Sequence, residues 1–472
     1  MAFQLATSGL YGAHRDEFYY LAGGHHLAWG YVDHPPIVPA LYRLSEMLFG
    51  HSVQALHVLP AMLGGVYVIL AVLLAREFGG DRRAQLLAAV VATLAPLFLT
   101  TSHFLSTVSL DVVAWAVASL LLARLIRNGD QRLWVAIGIV VGLGMMNKHA
   151  MAFWVAGAGI GLLVMPERRL LLSRWAVLGG AIAFLLFAPN LVWQARHGWA
   201  TLEFLSNLRS NNSASDRSQF VPLQLLGMTL AGTVIWLVGL WALIRRKQWK
   251  RQRWLAVGYA ALFVALFASG GKGYYVGSWY LPVIAVGAVV IERTWNKTAY
   301  WLLTSAVVVS GLIVAPLFTP ILPEATAHSL HLDTTNKDLG GMMGWPHVVA
   351  EVATAFDSLP PDTRATATIL TGNYSEAGAI NFWRARYGLP EAISGHNTYW
   401  WWGYGQPQGG PVIAIGLPKS VLDRYWGDVQ QITVLGSDGD IIDPQEQGNV
   451  IWLCREQKLP WAAIWPELRV YD

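Results

Sequence analysis

The residues best placed to do chemistry lie together near the start of the chain, in HRDEFYYLAGGHHLAWGYVDHPP, residues 14–36. Asp16, Glu17, His25, His26, Asp33 and His34 fall in this short stretch, with Tyr19, Tyr20, Trp29 and Tyr31 between them. Only 13% of the 472 residues are charged, so the cluster is out of proportion to its surroundings. A carboxylate from the Asp16-Glu17 pair could take the proton of an attacking hydroxyl as a general base. Asp33 and His34 could ligate a divalent metal, although the chain holds no HExxH or other spacing-specific metal motif.

Further candidates are scattered. Asp111, in SLDVV, enters an apolar run, where a carboxylate is also favoured simply by the helix dipole. Lys148, in MMNKHAMAF, interrupts an apolar hairpin, where it must reach the surface or pair with an anion. Lys272 and Tyr274 sit in the glycine-rich SGGKGYYVGSWYLP, which allows close backbone approach to a ligand. Lysine is a good point-charge partner for phosphate. Arg196 and His197, in WQARHGW, follow a helix end, where cations also serve as caps.

The elements that must position these groups are membrane helices. Hydrophobic residues make up 54% of the chain and there are 23 Trp. Runs apolar on all sides recur near 53–75, 84–101, 110–127, 133–147, 150–165, 175–193, 222–244, 255–268, 279–291 and 301–319. A bilayer span needs about 20 such residues, so a polytopic α-helical membrane protein with about ten transmembrane helices is expected. Met1–Gly12 lacks the form of a cleavable signal peptide. One cysteine, Cys454, excludes an internal disulfide and a cysteine-based zinc site. The net charge of +4 gives no reason to invoke nucleic acid.

Arginine and lysine asymmetry sets the orientation. Arg82-Arg83, Arg124, Arg127, Arg168-Arg169 and the Arg245–Arg253 cluster mark the cytoplasmic connections. The connections at 102–109, 147–150, 194–221 and 269–279 then lie outside, with the opening segment and everything after residue 320. This places Asp16, Asp111, Lys148, His197 and Lys272 on one face. Residues 1–320 read as the membrane domain, with a first outer loop at 13–50, and 321–472 as an extracytoplasmic α/β domain. Strands are expected near 367–370, 412–415, 431–435 and 449–453, with a helix over 375–387 that Ser375 caps. The aromatic HNTYWWWGYG, residues 396–405, reads either as an interfacial belt or as a surface that stacks on sugar or covers the membrane site. A carboxylate base with several cations on one face suits transfer of a sugar from a lipid phosphate to a hydroxyl, with inversion at the anomeric carbon. A transporter or flippase is the alternative, but internal repeats are lacking and the charges lie at the edge of the bilayer.

RDEFYYLAGGHHLAWGYVDHPPIVPAL, TVSLDVVAWAV, GLGMMNKHAMAFW, APNLVWQARHGWATLEFL, GGKGYYVGSWYLPVIAVGAVVIE and NYSEAGAINFWRARYGLPEAISGHNTYWWWG occur in an order that resembles the protein O-mannosyltransferase superfamily of GT-C membrane glycosyltransferases. The bacterial family 39 members and the aminoarabinose lipid A transferases look most similar. The resemblance implies a polyprenyl-phosphate sugar donor, a hydroxyl acceptor (lipid A, protein or envelope glycan) and a site on the outer face of the bacterial inner membrane. It implies Asp16 as the base, with Glu17 completing the acidic pair and Asp111 the second acidic position. Tyr31 to Pro36 match an aromatic–acid–Pro-Pro element in which His34 takes the place of a residue that holds donor phosphate. Lys148, Arg196 and Lys272 join His34 as expected phosphate contacts, and Tyr31, Asp33, Asp111, His197 and Tyr274 line the donor or acceptor site. No cofactor is required by this reading, and a divalent metal is compatible with it. Relatives begin with a full transmembrane helix, whereas only Met1–Gly12 precede the acidic segment here, so that helix is expected to be missing.

Overall fold

The computed structural model describes the backbone of residues 1–472 and the side chains of 1–210 and 217–472. The middle of the expected 194–221 connection therefore lies outside the described side chains. All ten apolar runs are helical, but they are not ten equal spans. Six helices among the described residues are long and apolar enough to cross a bilayer: Val53–Glu77, Thr107–Asn128, Arg174–Arg196, Lys247–Ser269, Gly273–Thr294 and Lys297–Phe318. Arg217–Leu226 and Leu230–Arg245 would make a seventh, bent by 96°. The 84–101 run breaks at Ala95–Pro96, because proline cannot donate the helical hydrogen bond at that point. Leu133–Asn147 and Met151–Leu163 are short apolar helices.

The second part is a sheet domain. Strands β1 (Thr368–Thr371), β2 (Ala392–Ser394), β3 (Val412–Ile415), β4 (Trp426–Val434) and β5 (Val450–Gln457) form one sheet in the order β2-β1-β3-β5-β4. β1 pairs in parallel with β2 and β3, and β5 pairs antiparallel with β3 and β4. β2, only three residues long, was not expected. The helix after β1 runs over Tyr374–Tyr387 and its cap is Asn373, not Ser375. The Asn373 side chain accepts from the backbone of Ser375 and Glu376, and Glu376 reaches back to the Asn373 N–H, a reciprocal capping box.

That box buries a second carboxyl beside the first. Asn449 Nδ2 donates to Glu376 Oε1 (3.1 Å) and to Glu446 Oε2 (2.8 Å). Burial, then the neighbouring Glu446, raises the Glu376 pKa well above the ordinary range, and burial raises that of Glu446. A raised carboxyl pKa means that the folded state holds the proton more tightly than the unfolded chain. Its stabilising contribution is present at low pH and lost as pH rises through the folded value. Glu446→Gln should therefore flatten the decline of Tm as pH rises above the ordinary carboxylate range in thermal unfolding of the full-length protein. Parallel wild-type and variant curves would contradict this.

The two parts share a core around the Arg15–His25 helix. Phe18, Tyr19, Tyr20 and Leu21 are buried in one cluster with Trp345, Val348, Ile369, Ile380 and Tyr399. Burying each such side chain contributes about 1.5–3 kcal/mol. The approach is close: a Cβ on Gly378 would lie 2.7 Å from Phe18 Cβ. Any larger residue there would push the sheet domain off this helix.

Candidate active site

The site is built on the first turn of the Arg15–His25 helix. His14 caps it: Nδ1 accepts the Asp16 N–H (3.2 Å), and the His14 N–H donates to Glu17 Oε2 (2.8 Å). Consecutive helical residues point about 100° apart, so the acidic pair divides. Glu17 turns into the core and is fully buried. Tyr42 Oη donates to it at 2.7 Å, and His57 Nε2 lies 3.0 Å away. Its oxygens are occupied by protein, which leaves it a structural carboxylate in place of the catalytic partner expected. Asp16 turns the other way and stays 31% exposed, open to a substrate.

Two stacked tyrosines hold two carboxylates. The rings of Tyr374 and Tyr19 lie 4.5 Å apart at 22°. Tyr374 Oη donates to Asp16 Oδ1 (2.9 Å), and Tyr19 Oη donates to Asp33 Oδ1 (2.7 Å). Burial, then the charges of Asp16 and Asp33 respectively, push both phenol pKa values well up, so both hydroxyls keep their protons and keep donating. Tyr374 belongs to the sheet domain, as does Thr398, whose Oγ1 accepts from the Val32 N–H (3.0 Å) and sits 2.6 Å from Tyr19 Oη. The 396–405 stretch thus clamps the acidic segment: Trp402 stacks on His26 and Trp401 meets His197 edge-on. Of its two expected readings, the geometry matches the covering surface.

Arg15, beside Asp16, was also missed. It reaches Asp443 of the sheet domain at 3.6 Å. Burial works against its charge, but Asp16 and Asp443 outweigh burial and raise its pKa. No local pattern singles out Tyr374 or Arg15; the weak signal was their place in the ordered segments quoted above.

His34 lies against Tyr19, Tyr20 and Tyr31. Its Nδ1 faces the Pro35 carbonyl (3.0 Å), while Nε2 is buried, 3.8 Å from Asp33 Oδ1, without a hydrogen-bond partner among the described residues. Tyr31 is a pin: its hydroxyl donates to the Gly23 carbonyl at 2.8 Å and closes the loop. It is fully buried, which removes it from substrate contact.

The distant lysines gather at Tyr274. Lys148 follows the Leu133–Asn147 helix, with Nζ over the rings of Tyr275 (4.9 Å) and Tyr274 (5.3 Å). Lys272 Nζ lies over the same Tyr274 ring at 5.9 Å. Lys148 is within electrostatic reach of both Asp111 and Lys272, and Tyr274 within reach of Tyr20. Asp111 is buried, and its Oδ1 finds no hydrogen-bond partner among the described residues. Arg196 and His197 stand apart. Arg196 is exposed at the end of the Arg174–Arg196 helix, and His197 stacks on Trp193 (3.9 Å) with Nδ1 2.8 Å from the Trp193 carbonyl, the capping role. Among the described residues no three His, Cys, Asp or Glu side chains come close enough to hold a metal ion by themselves.

Comparison with known proteins places this arrangement. The family described as dolichyl-phosphate-mannose-protein mannosyltransferase matches residues 33–193. Lipid A galacturonosyltransferase RgtD of Rhizobium johnstonii is 24% identical over 80% of this chain and 81% of its own. Undecaprenyl phosphate-alpha-4-amino-4-deoxy-L-arabinose arabinosyl transferase 1 of Pseudomonas fluorescens is 26% identical over 58% of this chain and 52% of its own. The crystal structure of ArnT from Cupriavidus metallidurans bound to undecaprenyl phosphate superposes with a TM-score of 0.61 over 96% of each chain, at 16% identity. Helices and sheet domain thus recur together in a protein of the same architecture, and the matching family and relatives are sugar transferases. On these grounds the chain resembles the polyprenyl-phosphate-dependent sugar transferases in sequence and shares the fold of the ArnT structure.

Proposed function

We propose that the protein is an inverting glycosyltransferase of the bacterial inner membrane that moves a sugar from a polyprenyl-phosphate donor to a hydroxyl acceptor. Residues 1–320 carry the catalytic membrane domain, and 321–472 fold over it on the periplasmic face. The observation that carries this reading is Asp16: a partly exposed carboxylate, oriented by Tyr374, beside a region that also gathers Lys148 and Lys272. Asp16 takes the acceptor proton. Lys148 and Lys272 stabilise the charge that grows on the leaving phosphate, with His34 Nε2 and Tyr274 lining the same space. Asp33 and Asp111 line the donor or acceptor space. Arg196 and His197 act at the rim. Two relatives named for lipid A or aminoarabinose transfer favour a glycolipid acceptor over a protein.

The test is transfer of labelled sugar from a synthetic polyprenyl-phosphate donor to lipid A by the purified full-length protein. Absence of transfer to lipid A, to any hydroxyl acceptor or to water would sink the proposal. Tyr374→Phe probes the orientation of the base. It removes one hydrogen bond to a charged group, worth about 1.5–3 kcal/mol. Turnover should fall roughly 10-fold or more, by the same energy scale, with the donor KM little changed. An unchanged kcat would show that Tyr374 does not orient Asp16.

A further inference from the structure

Two hollows flank the far end of the Arg15–His25 helix, away from Asp16. One, of about 420 Å³, opens between His26 and the 403–408 loop; the other, of about 260 Å³, lies between the helix and Asn381 and Arg384 of the sheet domain. They share one wall, made by His26, Glu391, Tyr399 and Trp402. Small-molecule sites are typically about 300–1,000 Å³. We infer that this double cleft is an acceptor subsite that holds a saccharide, two sugar units of a glycolipid headgroup, while a further hydroxyl of the same molecule reaches Asp16.

The chemistry of the walls selects the ligand. Trp402 and Tyr404, both half-exposed, offer ring surface for the C–H faces of sugars. Gln406, Gln408 and Glu391 offer hydrogen-bonding groups at the rim. The 403–405 loop leaves room for a ligand: added Cβ atoms at Gly403 and Gly405 would meet nothing within 4 Å. The charges are spent within the protein. Arg384 pairs with Glu391 at 3.2 Å, and Glu46 is held by His25 (2.8 Å), Arg43 (2.6 Å) and His51 (2.7 Å). Burial lowers the His26 pKa, which favours its neutral form. A phosphate would find no spare cation here, and an acyl chain would strand the amides. The span also fits. His26 follows Asp16 by ten residues, about 15 Å along a helix. Several sugar units cover that distance and round the helix end; an isolated hydroxyl amino acid does not.

The inference rests on the proposed glycosyl transfer, and its test separates the two. The Gln406→Ala/Gln408→Ala variant touches only exposed rim residues. Two lost hydrogen bonds should raise the KM for lipid A on the order of tenfold. Sugar loss to water from the donor should stay at the wild-type rate. Binding is read directly from tryptophan fluorescence titrated with a glucosamine disaccharide: saturable for the wild type, flat for the variant. An unchanged lipid A KM overturns the subsite, as does an equal rise for a long-chain alcohol acceptor that lacks sugar. A wild-type protein that turns over no donor at all overturns the glycosyl transfer instead.

Discussion

Asp16→Asn is expected to lower turnover by about 10²–10⁴, the usual contribution of a general base. Asparagine keeps the volume of aspartate and a carbonyl oxygen that accepts from Tyr374, so the local packing is retained. It cannot take a proton. The donor KM should therefore stay near wild type while kcat falls, the signature of a group used in the transition state. The neighbouring substitution is the control. Glu17→Gln alters a fully buried carboxylate bound to Tyr42, His57 and the His14 backbone, and should lower Tm more than it lowers kcat. Rates and melting curves on both variants in detergent decide the matter. Full turnover by Asp16→Asn would end its assignment as the base, and a collapse confined to Glu17→Gln would exchange the roles of the pair.

Lys148→Met should carry the second large effect, and for two separable reasons. If the ammonium holds the donor phosphate, its removal costs at least about 10²-fold in kcat/KM, on the scale of one lost charge-stabilising group. It also leaves Asp111 buried without its nearest cation. Loss of that attraction should lower Tm as well. The double variant Lys148→Met/Asp111→Asn removes the stranded charge. It should recover most of the Tm and little of the transfer. Recovery of both would show that Lys148 serves the fold, not the donor.

Much of this was legible in the residues. The apolar runs marked the helices because a membrane core demands continuous hydrophobicity, and the excess of ionisable groups marked 14–36. Topology brought Lys148, Lys272 and Asp111 to one region despite their separation in the chain, and the structure sets both lysines over the Tyr274 ring, with Asp111 in electrostatic reach of Lys148. What escaped depends on long-range contact. Tyr374 and Thr398 meet the acidic segment from 358 and 379 positions away, and no periodicity encodes such a meeting. The division of Asp16 from Glu17 follows from a helix that starts at Arg15, which residue types alone leave open. Apolar length alone does not separate a full span from a short or proline-broken helix such as Leu133–Asn147 or the 84–101 run.

The bond from Tyr374 to Asp16 has a consequence during biosynthesis. Ribosomes add about 5–20 residues per second, so the tyrosine emerges roughly 20–70 s after the carboxylate it orients. Through that interval the growing chain can enter the bilayer and present its lysines to lipid carriers, but its acid lacks the group that aims it. On the proposed role of Tyr374, a half-made or prematurely terminated product turns over at no more than about a tenth of the full rate, and so loses less carrier-bound sugar to water. Full activity arrives only with the last third of the polypeptide.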